Sequence, residues 1–185
     1  MSAVVLVEGD SDKAAIETLA RRRGRNLDSE GVTVVSMGGA SSVADFIRKA
    51  LDSVPRPTIL AGLCDEAVAD LFRGALERTG LGTDLSIVDM ESLGFFVCVR
   101  DLEDELIRSL DHDSIESLLE EQKEMKAFRT FQKQPHWRGE SLEDQFHRFA
   151  GIRSGRKVRY GRVLVEALDL ARVPRPLDGV LSFVC

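Results

Sequence analysis

The amino-acid sequence predicts an α/β fold, a mostly parallel sheet flanked by helices, followed by a C-terminal helical extension. Short aliphatic runs alternate with stretches of helical spacing in the first part of the chain, as in βαβ units. The first run, Ala3–Val7, is wholly apolar, which is typical of a strand buried on both faces of a parallel sheet. After about residue 111 only helical patterns follow. We therefore expect an α/β domain over 1–110 and a helical extension over 111–185.

Each predicted element has a local reason. Strands are expected where aliphatic and β-branched residues cluster, at 3–7, 32–35, 58–63, 85–88 and 95–99. Helices are expected at 12–23, 43–50, 66–78, 101–110, 114–129, 141–150 and 156–171. The first helix has Ala15, Ile16 and Leu19 on one face, and Pro55 and Pro57 break the chain before the third strand.

Composition narrows the class of protein. No apolar run of the 185 residues approaches the roughly 20 needed to cross a bilayer, and no signal-peptide pattern opens the chain, so no membrane partner is expected. Two of the three cysteines, Cys64 and Cys98, lie in strand-like runs, and Cys185 is far from both. We interpret them as thiols in a reducing compartment, and expect a cytoplasmic protein.

The net charge of −6 is distributed unevenly. Residues 1–120 carry 12 Lys and Arg against 23 Asp and Glu, a balance of −11, whereas residues 121–185 carry 13 against 8, a balance of +5. An acidic half beside a basic half suits a site that binds cations next to a polyanion. Chance partition of solvated surface charge is the alternative, and composition leaves it open.

Carboxylates follow three of the predicted strands. Glu8 follows the first strand, Asp65 the third, and Asp101 the strand that ends at residue 99. Because the carboxyl ends of parallel strands share one edge, these side chains are expected to converge there. Converging carboxylates repel unless a cation is present, and hard divalent ions such as Mg²⁺ or Mn²⁺ take oxygen ligands. The alternative is helix capping, which by itself would explain Asp12 or Asp101.

The stretch Val-Leu-Val-Glu8-Gly-Asp-Ser-Asp12 resembles the first motif of the TOPRIM domain, a Rossmann-like fold of topoisomerases, bacterial primases and overcoming-lysogenization-defect (OLD) nucleases. Gly-Leu-Cys-Asp65-Glu-Ala67 and Arg-Asp101-Leu-Glu103-Asp-Glu-Leu are most similar to the OLD group. The resemblance is to a short standalone form, because the chain has no P-loop motif and OLD nucleases normally carry an ATPase domain.

The resemblance implies metal binding by five residues, with Glu8 and Asp65 also catalytic: Glu8, Asp12, Asp65, Asp101 and Glu103. The family has a second aspartate where this chain has Ala67, so one expected ligand is missing. OLD nucleases also use a lysine near the scissile phosphate. Lys133 is the first candidate for that catalytic role and Lys126 the second.

The basic tail suggests a surface for the nucleic-acid backbone. The expected contacts are Arg153, Arg156, Lys157, Arg159 and Arg162. Trp137 and Tyr160 lie among these residues and offer stacking surfaces for bases, although packing in the core is the favoured interpretation of Trp137.

These features predict a Mg²⁺- or Mn²⁺-dependent nuclease that cleaves phosphodiester bonds of DNA or RNA by metal-ion catalysis. One alternative is a catalytically silent TOPRIM module that binds nucleic acid or a partner protein, which Ala67 favours. Another is a phosphohydrolase of small molecules, against which the extended basic tail argues. The resemblance leaves a separate ATPase partner and a homodimer open.

Overall fold

The computed structural model describes residues 2–152 and 155–184. It contains a four-stranded sheet of β1 (Ala3–Val7), β2 (Val32–Ser36), β3 (Ile59–Asp65) and β4 (Phe95–Cys98), in the order β2-β1-β3-β4. All neighbouring strands are parallel. The predicted α/β fold with a parallel sheet is therefore confirmed.

Ten helices are found in the described part of the chain. They are α1 (Asp10–Arg22), α2 (Val43–Asp52), α3 (Ala69–Arg78), α4 (Ile87–Ser92), α5 (Leu102–Arg108), α6 (His112–Glu121), α7 (Met125–Gln132), α8 (Leu142–Gly151), α9 (Arg156–Ala167) and α10 (Arg175–Phe183). Side chains begin several of them: Asp101, Asp111 and Ser141 each accept a hydrogen bond from a backbone N–H in the first turn. None of the helices is long and apolar enough to span a bilayer.

The strand register aligns the carboxyl ends of three strands. Val7 of β1 pairs with Leu63 of β3, and Asp65 of β3 pairs with Cys98 of β4. The residues that follow these positions therefore emerge at one edge of the sheet, which is where the acidic residues lie.

The two faces of the sheet bury different helices. Val5 and Val7 point into a cluster built with α1, α5 and the helices α6 to α10, whereas Leu6 points into a second cluster built with α2, α3 and α4. This alternation follows from the two-residue period of a strand. The first cluster draws residues from both sides of residue 110, and the division into domains 1–110 and 111–185 stays a prediction.

Three local predictions differ from the structure. The helix predicted over 114–129 is divided into α6 and α7, with Lys123 between them at a φ of 57°. Residues 85–88 do not form a strand, because α4 begins at Ile87, where the Ser86 hydroxyl accepts from the Asp89 N–H and the Asp89 carboxylate accepts from the Ser86 N–H. The sequence analysis also missed α10, which has a proline in its first turn and packs against β3 and β4.

Candidate functional site: an acidic centre at the carboxyl edge of the sheet

Five carboxylates form what we call the acidic centre: Glu8, Asp12, Asp65, Asp101 and Glu103. Glu8 follows β1, and its Oε1 accepts a hydrogen bond of 2.8 Å from the backbone N–H of Asp65, the last residue of β3. Asp65 Oδ1 in turn accepts from the N–H of Leu102 at the start of α5, at 3.2 Å. The ends of β1 and β3 and the start of α5 are thus tied together through carboxylate oxygens.

Two members of the centre also act as helix caps. The Oδ2 atom of Asp12 accepts from the Gly9 N–H at 2.9 Å, and Oδ1 of Asp101 accepts from the Asp104 N–H at 2.8 Å. The capping interpretation is therefore correct for both residues. Capping involves only one carboxylate oxygen of Asp12. Asp101 also contacts His147.

Burial and mutual repulsion alter the acidity of Asp12 and Asp65. Burial is the largest effect on each: together with the neighbouring charge of Glu103 it raises the pKa of Asp12 to about 7. Burial and the charges of Glu8 and Asp12 raise the pKa of Asp65 to about 8. The raised pKa values of these two carboxyl groups therefore reflect burial first and the proximity of the other carboxylates second.

Lys157 brings a positive charge to this acidic centre. Its Nζ lies 3.4 Å from Oε1 of Glu103, a side chain that is 5% exposed and whose Oε1 has no hydrogen bond in the described structure. Burial lowers the pKa of Lys157, but the charges of Glu103, Asp12 and Asp65 outweigh it and raise the pKa above its usual value. The ammonium group is therefore held as a cation beside the carboxylates.

The position of Lys157 depends on a close helix crossing. A Cβ atom on Gly161 of α9 would lie 2.5 Å from the backbone oxygen of Ser11 in α1, so only glycine permits this approach. Since Asp12 follows Ser11, and Lys157 lies one turn before Gly161, the crossing brings the α9 lysine to the acidic residues of α1 and α5.

A second network holds Asp101. His147 of α8 contacts both Asp101 oxygens through Nε2, at 2.8 and 2.9 Å, and its Nδ1 lies 3.3 Å from Nη2 of Arg100. Arg100 also donates to Asp104 and Asp144. Burial raises the pKa of Asp101, but the bonds from His147 and Asp104 outweigh it, so the pKa lies below its usual value.

The donor set suits a hard divalent cation, since carboxylate oxygens are its preferred ligands and Glu103 keeps a buried oxygen without a hydrogen bond. However, across residues 2–152 and 155–184 no three Asp, Glu, His or Cys side chains are gathered as a ready metal site. Most of the carboxylates instead accept a hydrogen bond from the protein. Ion binding at the acidic centre would therefore require these side chains to turn.

Two arginines of the predicted nucleic-acid surface instead form ion pairs within the protein. Arg156 is buried, with Nε 3.2 Å from Glu124 Oε2, and Arg159 donates to Glu124 Oε1 at 2.6 Å. Arg162 is exposed and lies 3.6 Å from Glu166, Lys157 is exposed beside Glu103, and Arg153 lies outside the described residues. Their contact with nucleic acid stays a prediction, but the geometry favours a structural role for Arg156 and Arg159.

Three further predicted residues have no contact with the carboxylates of the acidic centre in the part of the chain that the structure describes. Lys133 is exposed at the end of α7, and no contact of its side chain with the centre is found among the described residues; its catalytic role stays a prediction. Trp137 packs against Phe131, with ring centroids 5.2 Å apart, as core packing requires. Tyr160 is fully buried and donates to Glu124, so base stacking by this ring is excluded.

The roles of His147 and Lys157 at the acidic centre were not predicted from the sequence. His147 was not recognised because its partner Asp101 is 46 positions away, and an isolated histidine in a helix carries no spacing signal. Lys157 was assigned to backbone contact with nucleic acid rather than to the acidic centre. The small residue Gly161, one turn further along α9, is the only local signal of a close approach.

The fold and site define a class: a parallel α/β domain with carboxylates at the carboxyl edge and a helical extension that brings a lysine to them. Comparison with known proteins agrees with the predicted resemblance, because the family model "Overcoming lysogenization defect protein-like, TOPRIM domain" matches residues 1–59. No curated protein sequence matches the chain.

Solved structures extend the likeness of fold beyond those residues. The C-terminal region of the Burkholderia pseudomallei OLD protein aligns with a TM-score of 0.71 at 18% identity, covering 98% of this chain and 96% of that one. The C-terminal region of the Xanthomonas campestris pv. campestris OLD protein, phased with platinum, aligns with a TM-score of 0.69 at 24% identity, covering 98% and 91%. The helical extension thus has the same fold as these C-terminal regions.

Proposed function

We propose that this protein is a divalent-metal-dependent phosphodiesterase that cleaves DNA or RNA. The observation that supports it best is the acidic centre itself, in which hydrogen bonds through Glu8 and Asp65 tie together the ends of β1 and β3 and the start of α5, with Lys157 Nζ 3.4 Å from Glu103. The match of residues 1–59 to the OLD-like TOPRIM family adds to this support, since TOPRIM domains bind divalent metal ions.

Glu8, Asp12, Asp65, Asp101 and Glu103 would hold Mg²⁺ or Mn²⁺. When bound, such ions supply an activated water and stabilise the leaving oxygen of a phosphodiester. The protein's own groups do the rest. Lys157 Nζ would donate hydrogen bonds to a non-bridging phosphate oxygen, and His147 would hold the Asp101 carboxylate in one orientation.

Cleavage tests the proposal directly. Supercoiled plasmid, RNA and single-stranded DNA are incubated with the protein and Mg²⁺ or Mn²⁺. Glu8→Gln and Asp65→Asn are expected to lower cleavage at least 100-fold. Asp70→Asn, an exposed carboxylate that pairs with Arg73 on α3, is the matched control and is expected to retain activity. Retention of full cleavage by Glu8→Gln would overturn the proposal.

A second candidate is a silent module that binds nucleic acid or a protein without cutting. It is favoured by Ala67, which puts a methyl group where the family has a carboxylate, and by the lack of a ready metal site among the described residues. Binding of an oligonucleotide without cleavage in either metal ion would select it. Hydrolysis of nucleotides alone would instead select the small-molecule phosphohydrolase.

A further inference from the structure

A groove on the helical extension is lined by residues other than those of the acidic centre. We call it the tail groove; it has a volume of about 580 Å³ and lies between α7, the end of α8 and the start of α9. Its lining includes the cations Lys123, Lys126 and Arg156, the exposed Ile152, and the buried Phe131 and Phe149. Its volume is within the usual range for ligand sites.

The tail groove is positively charged. No Asp or Glu is among its lining residues in the described structure, and neither Lys123 nor Lys126 forms an ion pair there. The nearest acid along the chain, Glu124, already accepts from Arg159 and Tyr160 and lies 3.2 Å from Nε of Arg156. The two exposed ammonium groups are therefore available to an anionic ligand.

The tail groove also has an apolar wall. Ile152 is 48% exposed, and among the other lining residues the guanidinium carbon of Arg156 lies 4.3 Å from the centroid of the Phe149 ring. An anion with no apolar part would leave this wall exposed to water. A ligand that combines phosphates with flat apolar rings would cover both the cations and the wall.

The position of the tail groove next to the acidic centre suggests which ligand this is. Arg156 lines the groove and the adjacent residue, Lys157, faces Glu103. Neighbouring residues on a helix differ by about 100° in direction and 1.5 Å in height, so the two sites lie on different sides of the same turn of α9. A strand with one phosphate at the acidic centre would pass around this turn of α9 to reach the groove.

We propose that the tail groove binds an unpaired stretch of the nucleic-acid strand, with Lys123 and Lys126 on its phosphates and Ile152 against its bases. Bases in a duplex are stacked and hidden from such a wall, so an unpaired strand fits better than a double helix. This inference rests on the proposed function for the identity of the ligand, and it adds the strandedness of the substrate and the residues that select it.

Measurements of nucleic-acid binding in the absence of metal ions test the tail-groove proposal. A fluorescently labelled 12-nucleotide single strand and a matched duplex are titrated in EDTA at several salt concentrations, with wild type and the Lys123→Ala/Lys126→Ala double variant. Each phosphate contact on a single strand contributes about 0.7 to the slope of log K against log salt, so the double variant is expected to lose about 1.4. Lys49→Ala, an exposed lysine on α2, is the control and is expected to keep the wild-type slope.

Ile152→Ser separates the apolar wall from the charges. This variant is expected to bind the single strand several-fold more weakly while keeping the wild-type salt slope. Thermal melts of all variants check folding. An unchanged slope in the double variant, equal losses for duplex and single strand, or equally tight binding of poly-glutamate would each overturn the proposal.

The two proposals fail separately. If wild type cleaves and Glu8→Gln does not, but the Lys123→Ala/Lys126→Ala variant keeps the wild-type salt slope, the nuclease proposal is supported and the tail-groove proposal is contradicted. If the double lysine variant has a reduced salt slope but wild type cleaves nothing in Mg²⁺ or Mn²⁺, the tail-groove proposal is supported and the nuclease proposal is contradicted.

Discussion

Nε2 of His147 lies 2.8 Å from Oδ2 and 2.9 Å from Oδ1 of Asp101, joining α8 to the loop between β4 and α5. The other ring nitrogen, Nδ1, lies 3.3 Å from Nη2 of Arg100, which can only donate. A ring with its proton on Nε2 satisfies both contacts. The helical extension thereby orients one carboxylate of the acidic centre.

His147→Ala is expected to weaken Mn²⁺ binding by about 10- to 100-fold, because residues that orient metal ligands have effects of that size. His147→Gln keeps an N–H donor and is expected to recover part of the loss. Isothermal titration with Mn²⁺ measures both variants. Equal affinity of His147→Ala and wild type would show that His147 does not orient a ligand.

Asp65→Asn is expected to stabilise the metal-free protein at pH 9 and not at pH 4. Burial and neighbouring carboxylates raise the pKa of Asp65 to about 8 and that of Asp12 to about 7, so both groups hold protons more tightly in the folded state. Their contribution to stability is complete below the unfolded pKa and is lost as pH rises through 7 to 8. Removing one charge should raise Tm by at least about 2–4 °C, equivalent to about 1 kcal/mol for a chain of this length.

Thermal melts at both pH values in EDTA measure this effect, with Asp70→Asn as the exposed control. Added Mg²⁺ should stabilise wild type more at pH 9 than at pH 5, since protons and the ion compete for the same oxygens. If Asp65→Asn were less stable than wild type at pH 9, the ionised Asp65 carboxylate would not be destabilising the folded protein.

Gly161→Ala is expected to destabilise the fold by about 1–3 kcal/mol, the usual range for an overpacked contact. The added methyl group would lie 2.5 Å from the Ser11 backbone oxygen, which cannot yield as a side chain would. Gly151→Ala is the control, since its Cβ meets nothing within 4 Å. Urea denaturation compares the free energies of unfolding of the two variants. Equal values would mean that α1 and α9 can move apart without destabilising the fold.

Glu124→Gln is expected to cost about 3 kcal/mol, because it leaves the buried Arg156 without its ion-pair partner. The carboxylate also accepts from Arg159 at 2.6 Å and from Tyr160 at 2.8 Å. Glu116→Gln removes an exposed pair with Arg129 and is expected to change stability by less than about 1 kcal/mol. Similar urea midpoints for the two variants would refute a structural role for Glu124.

Short-range patterns account for the elements that sequence reasoning predicted correctly. The apolar run of β1 and the strand–helix alternation specify a parallel sheet, and the carboxylates after β1, β3 and β4 follow from where those strands end. Residues 85–88 were mispredicted because four apolar-rich residues fit a strand or a helix, and the cap at Ser86 decides for the helix.

The sequence by itself determined that Glu8, Asp65 and Asp101 follow strands of a parallel sheet and so share one edge, because each strand ends where its own apolar run ends and helical crossovers make neighbouring strands parallel. Only the tertiary structure decided that Lys157 and His147 reach these acids while Arg156 and Arg159 turn inward to Glu124. Those outcomes depend on how α8 and α9 cross α1 and α5, which is fixed by packing between residues far apart in the chain.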